Sequence, residues 1–178
     1  MTRERLILKT PRLRFVMWDD GDAALLQKLH STTATTRYLP GNAPWSLDKA
    51  AARLRGWFEE QERDGTTKYK LLAEDGSFIG RAGISRFRRE EFELGYSLRE
   101  EAWGKGLATE AASALAGWFF EKQFASSLIA FTHPENIASQ RVLKKIGMRE
   151  RAPILIDGVL DMAFELIAGM RSANPGAP

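Results

Sequence analysis

No cysteine occurs anywhere in this chain. Disulfides, thiolate metal sites and a cysteine nucleophile are thereby excluded. No uninterrupted apolar segment reaches the roughly 18 residues that a membrane span needs, and the amino end, Met1 to Arg5, is charged. The expectation is a cytoplasmic protein with no membrane partner. No internal repeat and no low-complexity block is found, which removes solenoids and disordered linkers from consideration. The excess of positive charge is small, +3, enough to favour a phosphorylated ligand without requiring DNA.

What remains is the composition of a folded domain. Hydrophobic residues make up 44% and charged residues 28% of 178 residues, and a chain of that size holds one core. Residues 1–170 are expected to form a single domain and residues 171–178 a frayed tail. Leu6 to Leu8 and Leu13 to Trp18 read as one extended segment interrupted at Pro11. A helix follows from Asp22, and a second starts at the cap Ser46. Between them lies a long loop, Ser31 to Trp45, rich in Thr, Pro and Gly but anchored by Tyr38, Leu39 and Trp45. Lys68 to Glu74, Ser77 to Phe87 and Phe92 to Leu98 form an antiparallel meander, its first turn being Asp75-Gly76.

A helix then runs from Leu107, with apolar residues at three and four residue spacing as far as Phe119. Leu128 to Phe131 is a buried strand, Asn136 to Ile146 a helix ended by Gly147, and Ile154 to Leu166 a hairpin around Asp157-Gly158. The turn before the Leu107 helix, Trp103-Gly104-Lys105-Gly106-Leu107-Ala108, therefore joins a strand to a helix amino end. Backbone N–H groups there, at the positive end of the helix dipole, suit an anion. Lys105 is followed by Gly106 where an NTP-binding loop needs Ser or Thr, so NTP is disfavoured. A dinucleotide fingerprint is missing too: Thr109 stands at its third small position, and no acid ends the next strand, which closes on Thr132 and His133.

The order of elements, with "ELGYSLREEAWGKGLATEAA" and "ENIASQRVLKKIGM", resembles the GCN5-related N-acetyltransferase (GNAT) family. Within that family it most resembles the branch acting on ribosomal protein amino termini, and the "LKTPRLRF" opening and the "TRYLPGNAPW" loop belong to the resemblance as well. The resemblance spans nearly the whole chain. It implies an α/β (α+β) domain with a mixed, mostly antiparallel sheet of about seven strands flanked by about four helices. It further implies acetyl-CoA as cofactor, its pyrophosphate on the glycine turn and its pantetheine arm along the backbone of Tyr96, Ser97 and Leu98. Asn136 would hold the cofactor, and Ser139 would also give a proton to the departing thiolate. Glu101 departs from the Gln or Arg usual three residues before the first glycine, and an acid there is expected to face solvent.

Acetyl transfer to an amine needs the amine deprotonated, and a carboxylate acting through water is the candidate agent. Glu93, on the strand entering the site, is the first choice and Asp161, on the last hairpin, the second. Each has a plainer reading as an outward residue, as Asn136 does as a helix cap and Ser139 as a small surface residue. His133, at the end of the buried strand, has a reading as acid or base and a plainer one as a hydrogen-bonded structural histidine, and His30 reads as a cation complementing a helix end. Arg81, Arg86, Arg88 and Arg89 form a solvated strand face or a basic face for RNA or a cofactor phosphate. The acceptor is a protein amino terminus or a small-molecule amine. A non-catalytic acyl-CoA-binding module is the alternative, and a homodimer is compatible with either.

Overall fold

Pro11 splits the first extended segment. In the computed structural model, which describes residues 5–169, β1 (Leu6–Lys9) and β2 (Leu13–Val16) pair antiparallel. Their turn is closed by Thr10 N–H donating to the Leu13 carbonyl at 2.8 Å and by Thr10 Oγ1 accepting from Leu13 N–H at 3.0 Å. The sheet accordingly has eight strands, one more than the sequence pattern suggests. The reason is local: proline fixes φ and ends pairing in a turn where the hydrophobic pattern continues.

Three helices follow, α1 (Ala23–Leu29), α2 (Thr33–Thr36) and α3 (Leu47–Asp64). Ser46 Oγ accepts from Lys49 N–H at 3.1 Å, and the helix ends at Gly65 in the left-handed region. The single turn α2 lies inside the stretch expected to be loop. Thr32 caps it by accepting from Thr35 N–H, a short-range arrangement that a run of threonines hides because their helix propensity is low.

β3 (Lys68–Ala73), β4 (Phe78–Arg88) and β5 (Glu91–Leu98) are the meander, followed by α4 (Leu107–Glu121), β6 (Ser127–Thr132), α5 (Ile137–Lys145), β7 (Arg149–Ile156) and β8 (Val159–Ile167). The sheet order is β1-β2-β3-β4-β5-β6-β8-β7, with every pairing antiparallel except β5 with β6. β7 begins earlier than Ile154 and carries Pro153 at a bulge between Arg151 and Ile154. An edge strand tolerates that proline because one side needs no ladder donor. The expected tail, residues 171–178, lies outside the described residues.

Each face of the sheet has its own core. Phe15, Tyr69, Leu94, Leu115 and Phe119 belong to the larger one, under α4 and α5. Trp18, Leu26, Trp45, Leu54 and Trp57 form the smaller one, under α1 and α3. Burial on both faces corrects the reading of β4: Arg81 is only 9% exposed, whereas Arg86 and Arg88 are exposed. Positions 81 and 86 have opposite parity on a strand, so they face opposite sides. Arg81 therefore contributes nothing to a basic outer face.

Phe119 is fully buried and contacts Phe92 and Phe124 at ring centroid distances of 5.3 and 5.5 Å. Phe119→Ala is expected to cost about 3–5 kcal/mol and to lower the melting temperature by roughly 6–20 °C. A fall of under about 2 °C in a thermal melt would contradict this account of how α4 is anchored.

Candidate active site

β5 ends at Leu98, and a 3₁₀ turn over Glu100–Ala102 carries the chain to Trp103. The Trp103 indole is 46% exposed and donates from Nε1 to the Leu98 carbonyl at 2.9 Å. Gly104 and Gly106 then adopt φ of +72° and +75°, a region in which a Cβ is strained. Space does not demand glycine at 104, since a Cβ there would meet nothing within 4 Å; the backbone conformation does. Gly106 caps α4 without a side chain. Among the described residues none accepts from the backbone N–H groups of residues 104–109. They stand at the helix's positive end, an arrangement whose donors and dipole together suit an anion.

A strap holds the turn in place. Glu110, in the first turn of α4, accepts from Thr10 Oγ1 at 2.6 Å, from Arg12 N–H at 3.0 Å and from Arg12 Nε at 2.6 Å. Arg12 Nη1 donates onward to the Lys105 carbonyl at 2.9 Å. The β1–β2 turn is thus tied to the glycine turn across the sheet edge. Burial pushes the Glu110 carboxyl up, but the Thr10 and Arg12 hydrogen bonds outweigh it and hold it below its ordinary 4.5.

β5 and β6 meet at one register pair, Glu93 opposite Ile129. Beyond it the backbone of Tyr96, Ser97 and Leu98 has a strand partner on the β4 side only. At this opening the Tyr96 hydroxyl shares a hydrogen bond of 2.9 Å with Ser139 Oγ. Burial pushes the phenol up to about 12, so it stays neutral and able to donate. Asn136 caps α5, its Oδ1 accepting from Ser139 N–H at 3.3 Å. Tyr96, Ser139 and Asn136 are therefore one assembly, and Asn136 does act as a helix cap.

Glu93 points inward, not outward. Its Oε2 pairs with Lys68 Nζ at 2.6 Å, and the same ammonium donates to the Glu93 carbonyl at 2.8 Å. Burial lowers the Lys68 pKa, with Glu93 opposing the shift. Asp161 sits apart from this group, on β8 opposite Ile154. Burial raises its carboxyl, while His133 opposes the shift. His133 accepts at Nδ1 from Glu135 N–H at 3.1 Å and stacks on Tyr38 at 5.3 Å. The Glu101 side chain is 72% exposed and pairs with Arg99 at 3.3 Å.

His30 corrects an expectation. It is fully buried and accepts from Arg81 Nε at 3.1 Å, and burial together with the Arg81 charge lowers its pKa to about 2. A neutral imidazole cannot complement a helix dipole as a cation. Sequence reasoning also missed Lys68 and the Thr10–Arg12–Glu110 strap. An isolated lysine in a strand and an acid in a first helical turn each have ordinary solvent roles, so neither gave a signal. Among the described residues no cluster of His, Asp and Glu suited to a metal is found, and no helix is long and apolar enough to cross a membrane.

A sheet that opens at its single parallel pair, beside a helix amino end with unclaimed donors, is the frame of an acetyl-CoA-dependent N-acetyltransferase. The chain belongs to the GNAT family: residues 12–149 match the family described as acetyltransferase (GNAT) domain. It is 28% identical over 144 residues to the uncharacterized N-acetyltransferase YnaD of Bacillus subtilis, covering 80% of this chain and 82% of that one. The crystal structure of an acetyltransferase from Agrobacterium tumefaciens is 25% identical with a TM-score of 0.78, covering 89% of this chain and 92% of that one. RimL, a ribosomal L7/L12 alpha-N-protein acetyltransferase solved with coenzyme A, superposes with a TM-score of 0.79 at 15% identity, covering 92% and 98%. That last likeness is one of fold. Acetyl-CoA fits the site described here, whose free N–H groups and unpaired strand edge suit a pyrophosphate and an extended amide-bearing arm.

Because Glu110 titrates lower in the folded state, its stabilisation is complete above 4.5 and is lost as pH falls through the lowered folded value. Glu110→Gln should cost about 1 kcal/mol at pH 7, Arg12 being half exposed, or roughly 2–4 °C. The gap between the melting curves of the two proteins should narrow as pH falls below 4.5 and close once it has passed the lowered folded value. A gap that does not narrow at any acid pH at which both proteins still fold would rule out this charge-based tie.

Proposed function

We propose that this acetyltransferase passes the acetyl group directly to a primary amine in a ternary complex, the acceptor being a small-molecule amine or a protein amino terminus. The observation that carries the reading is the opening beyond Glu93 and Ile129, flanked by Tyr96 with Ser139 on one wall and by Glu93 at its base. Bound acetyl-CoA supplies an activated acetyl thioester. Backbone N–H groups of Trp103, Gly104, Lys105, Gly106, Leu107 and Ala108 would hold its phosphates, and the edge of Tyr96, Ser97 and Leu98 its arm. Asn136, at the start of α5, would hold that arm from the other side.

Proton traffic is divided between two walls. Ser139 Oγ, bonded to the neutral Tyr96 phenol, is placed to donate to a leaving thiolate, and the phenol can replenish that proton. Glu93 has Oε2 tied to Lys68, while among the described residues Oε1 makes no hydrogen bond. It is left to accept the amine's proton through a water. Asp161, with a carboxyl raised by burial, is the second proton acceptor proposed. The amine enters between the Ser31 to Trp45 segment and the Asp157 hairpin, and attack is direct because no cysteine exists to carry the acetyl group.

Glu93→Gln is expected to lower kcat by about 10²- to 10⁴-fold while acetyl-CoA still raises the melting temperature by several degrees. Asp161→Asn should have the smaller effect. If Glu93→Gln turns over normally and Asp161→Asn does not, the proton acceptor is Asp161.

A further inference from the structure

Among the described residues the cations Lys68, Lys70 and Arg81 are buried, and the last of them makes no ion pair. Lys68 has Glu93 as its counter-charge, and Lys70 has Asp19 and Asp22 at 3.1 and 2.6 Å. Arg81, though only 9% exposed, has a neutral imidazole. Its Nε donates to His30 Nε2, and its guanidinium lies over the Trp57 ring at 5.6 Å. Among the described residues neither Nη1 nor Nη2 makes a hydrogen bond or an ion pair, so most of the five N–H donors of this side chain are unspent. The one carboxylate that acts on it, Glu93, is already ion-paired with Lys68.

The surroundings are deficient in the same sense. Since His30 accepts at Nε2 and is neutral, its proton sits on Nδ1, where the Thr35 backbone acts on it but lies outside good hydrogen-bond geometry. The indole N–H groups of Trp45 and Trp57 are also buried without partners. Trp45 lies against His30 at 4.2 Å, and Lys49 and Arg53 stand over Trp45 and Trp57 at 5.1 and 5.7 Å. Among the described residues the buried side-chain atoms of this cluster left without partners are all donors. A water molecule, which donates as well as accepts, meets only part of that need. A carboxylate accepts only, carries the missing charge, and matches a guanidinium in plane.

The place matters as much as the chemistry. Trp45 N–H donates to the His30 carbonyl at 2.8 Å, closing the base of the segment proposed above to wall the acceptor. Arg81 pairs with Ser97 on β5, and Glu93 lies four residues back on the same face, roughly 13 Å away at strand spacing before their long side chains are counted. We propose that Arg81, under the Trp45 segment, receives the carboxylate of a small amino-acid acceptor whose amine is directed to Glu93. The proposal rests on the acetyltransferase reading and narrows its acceptor to amines that carry an anionic group.

The test compares glycine, β-alanine, 4-aminobutyrate and 6-aminohexanoate with their amides as acceptors of the full chain with acetyl-CoA. The best carboxylate should exceed its amide by about 10- to 100-fold in kcat/KM. Arg81→Met should abolish that advantage through KM and leave amide acetylation within about twofold. Arg81→Lys, which keeps the charge, should restore part of it and guards against a folding defect. Binding is followed independently by tryptophan fluorescence with the N-acetyl derivatives of the same acids and amides, no transfer being required. Saturable quenching by the acids alone, lost in Arg81→Met while acetyl-CoA still stabilises the variant, supports the site even if no amine in the panel is acetylated. Equal rates and equal quenching for acids and amides, or a preference that survives Arg81→Met, overturns it.

Discussion

Two neighbouring strands that run parallel and share a single ladder pair, Glu93 with Ile129, set the terms for this molecule. β6 is held along its length by β8, from Ser127 opposite Ile167 to Thr132 opposite Met162, and β5 is held by β4. Neither strand can lean across to close the gap beyond Glu93 and Ile129 without breaking its other ladder. The gap therefore persists as a property of the sheet. Unpaired backbone groups at such an edge are costly in an apolar interior, and here they face an opening where a ligand can satisfy them.

Charge in the interior follows the same geometry. Lys68 on β3 reaches across β4 to Glu93 on β5, which fixes the carboxylate at the point where the sheet parts. Glu110 fixes the other end of the site by joining the β1–β2 turn to the amino end of α4. The two ties lie on opposite faces of one sheet and share no residue. The anion binding proposed at the glycine turn and the proton transfer proposed at Glu93 thus rest on separate supports. Arg81 with His30 forms a third polar group, the one in which donors and positive charge exceed acceptors.

Local chemistry was legible in the sequence and remote pairing was not. Ser46, Gly65 and the Asp157-Gly158 turn announce their elements because the relevant hydrogen bonds span a few residues. The glycine turn is equally plain, since positive φ at two nearby positions leaves few alternatives to glycine. Lys68, Lys70 and Arg81 give no sign of their burial for one reason: alternation on a strand suggests a wet face, and this sheet has helices on both faces. Their partners Glu93, Asp22 and His30 are between 25 and 51 residues away, and no periodicity links them. The turn at Pro11 was visible as a break but not as a hairpin, because pairing of such short strands depends on β3 behind them.

The central claim is that one continuous channel runs from the glycine turn along the free edge of β5 to Ser139. Titration of the ¹⁵N-labelled protein with coenzyme A, followed by backbone amide chemical shifts, tests it most directly. Large shifts are predicted at Gly104, Gly106, Leu107 and Ala108 together with Tyr96, Ser97, Leu98 and Ser139, with the amides of β1 and β7 little changed. Saturable shifts that avoid both the glycine turn and the β5 edge would contradict the account.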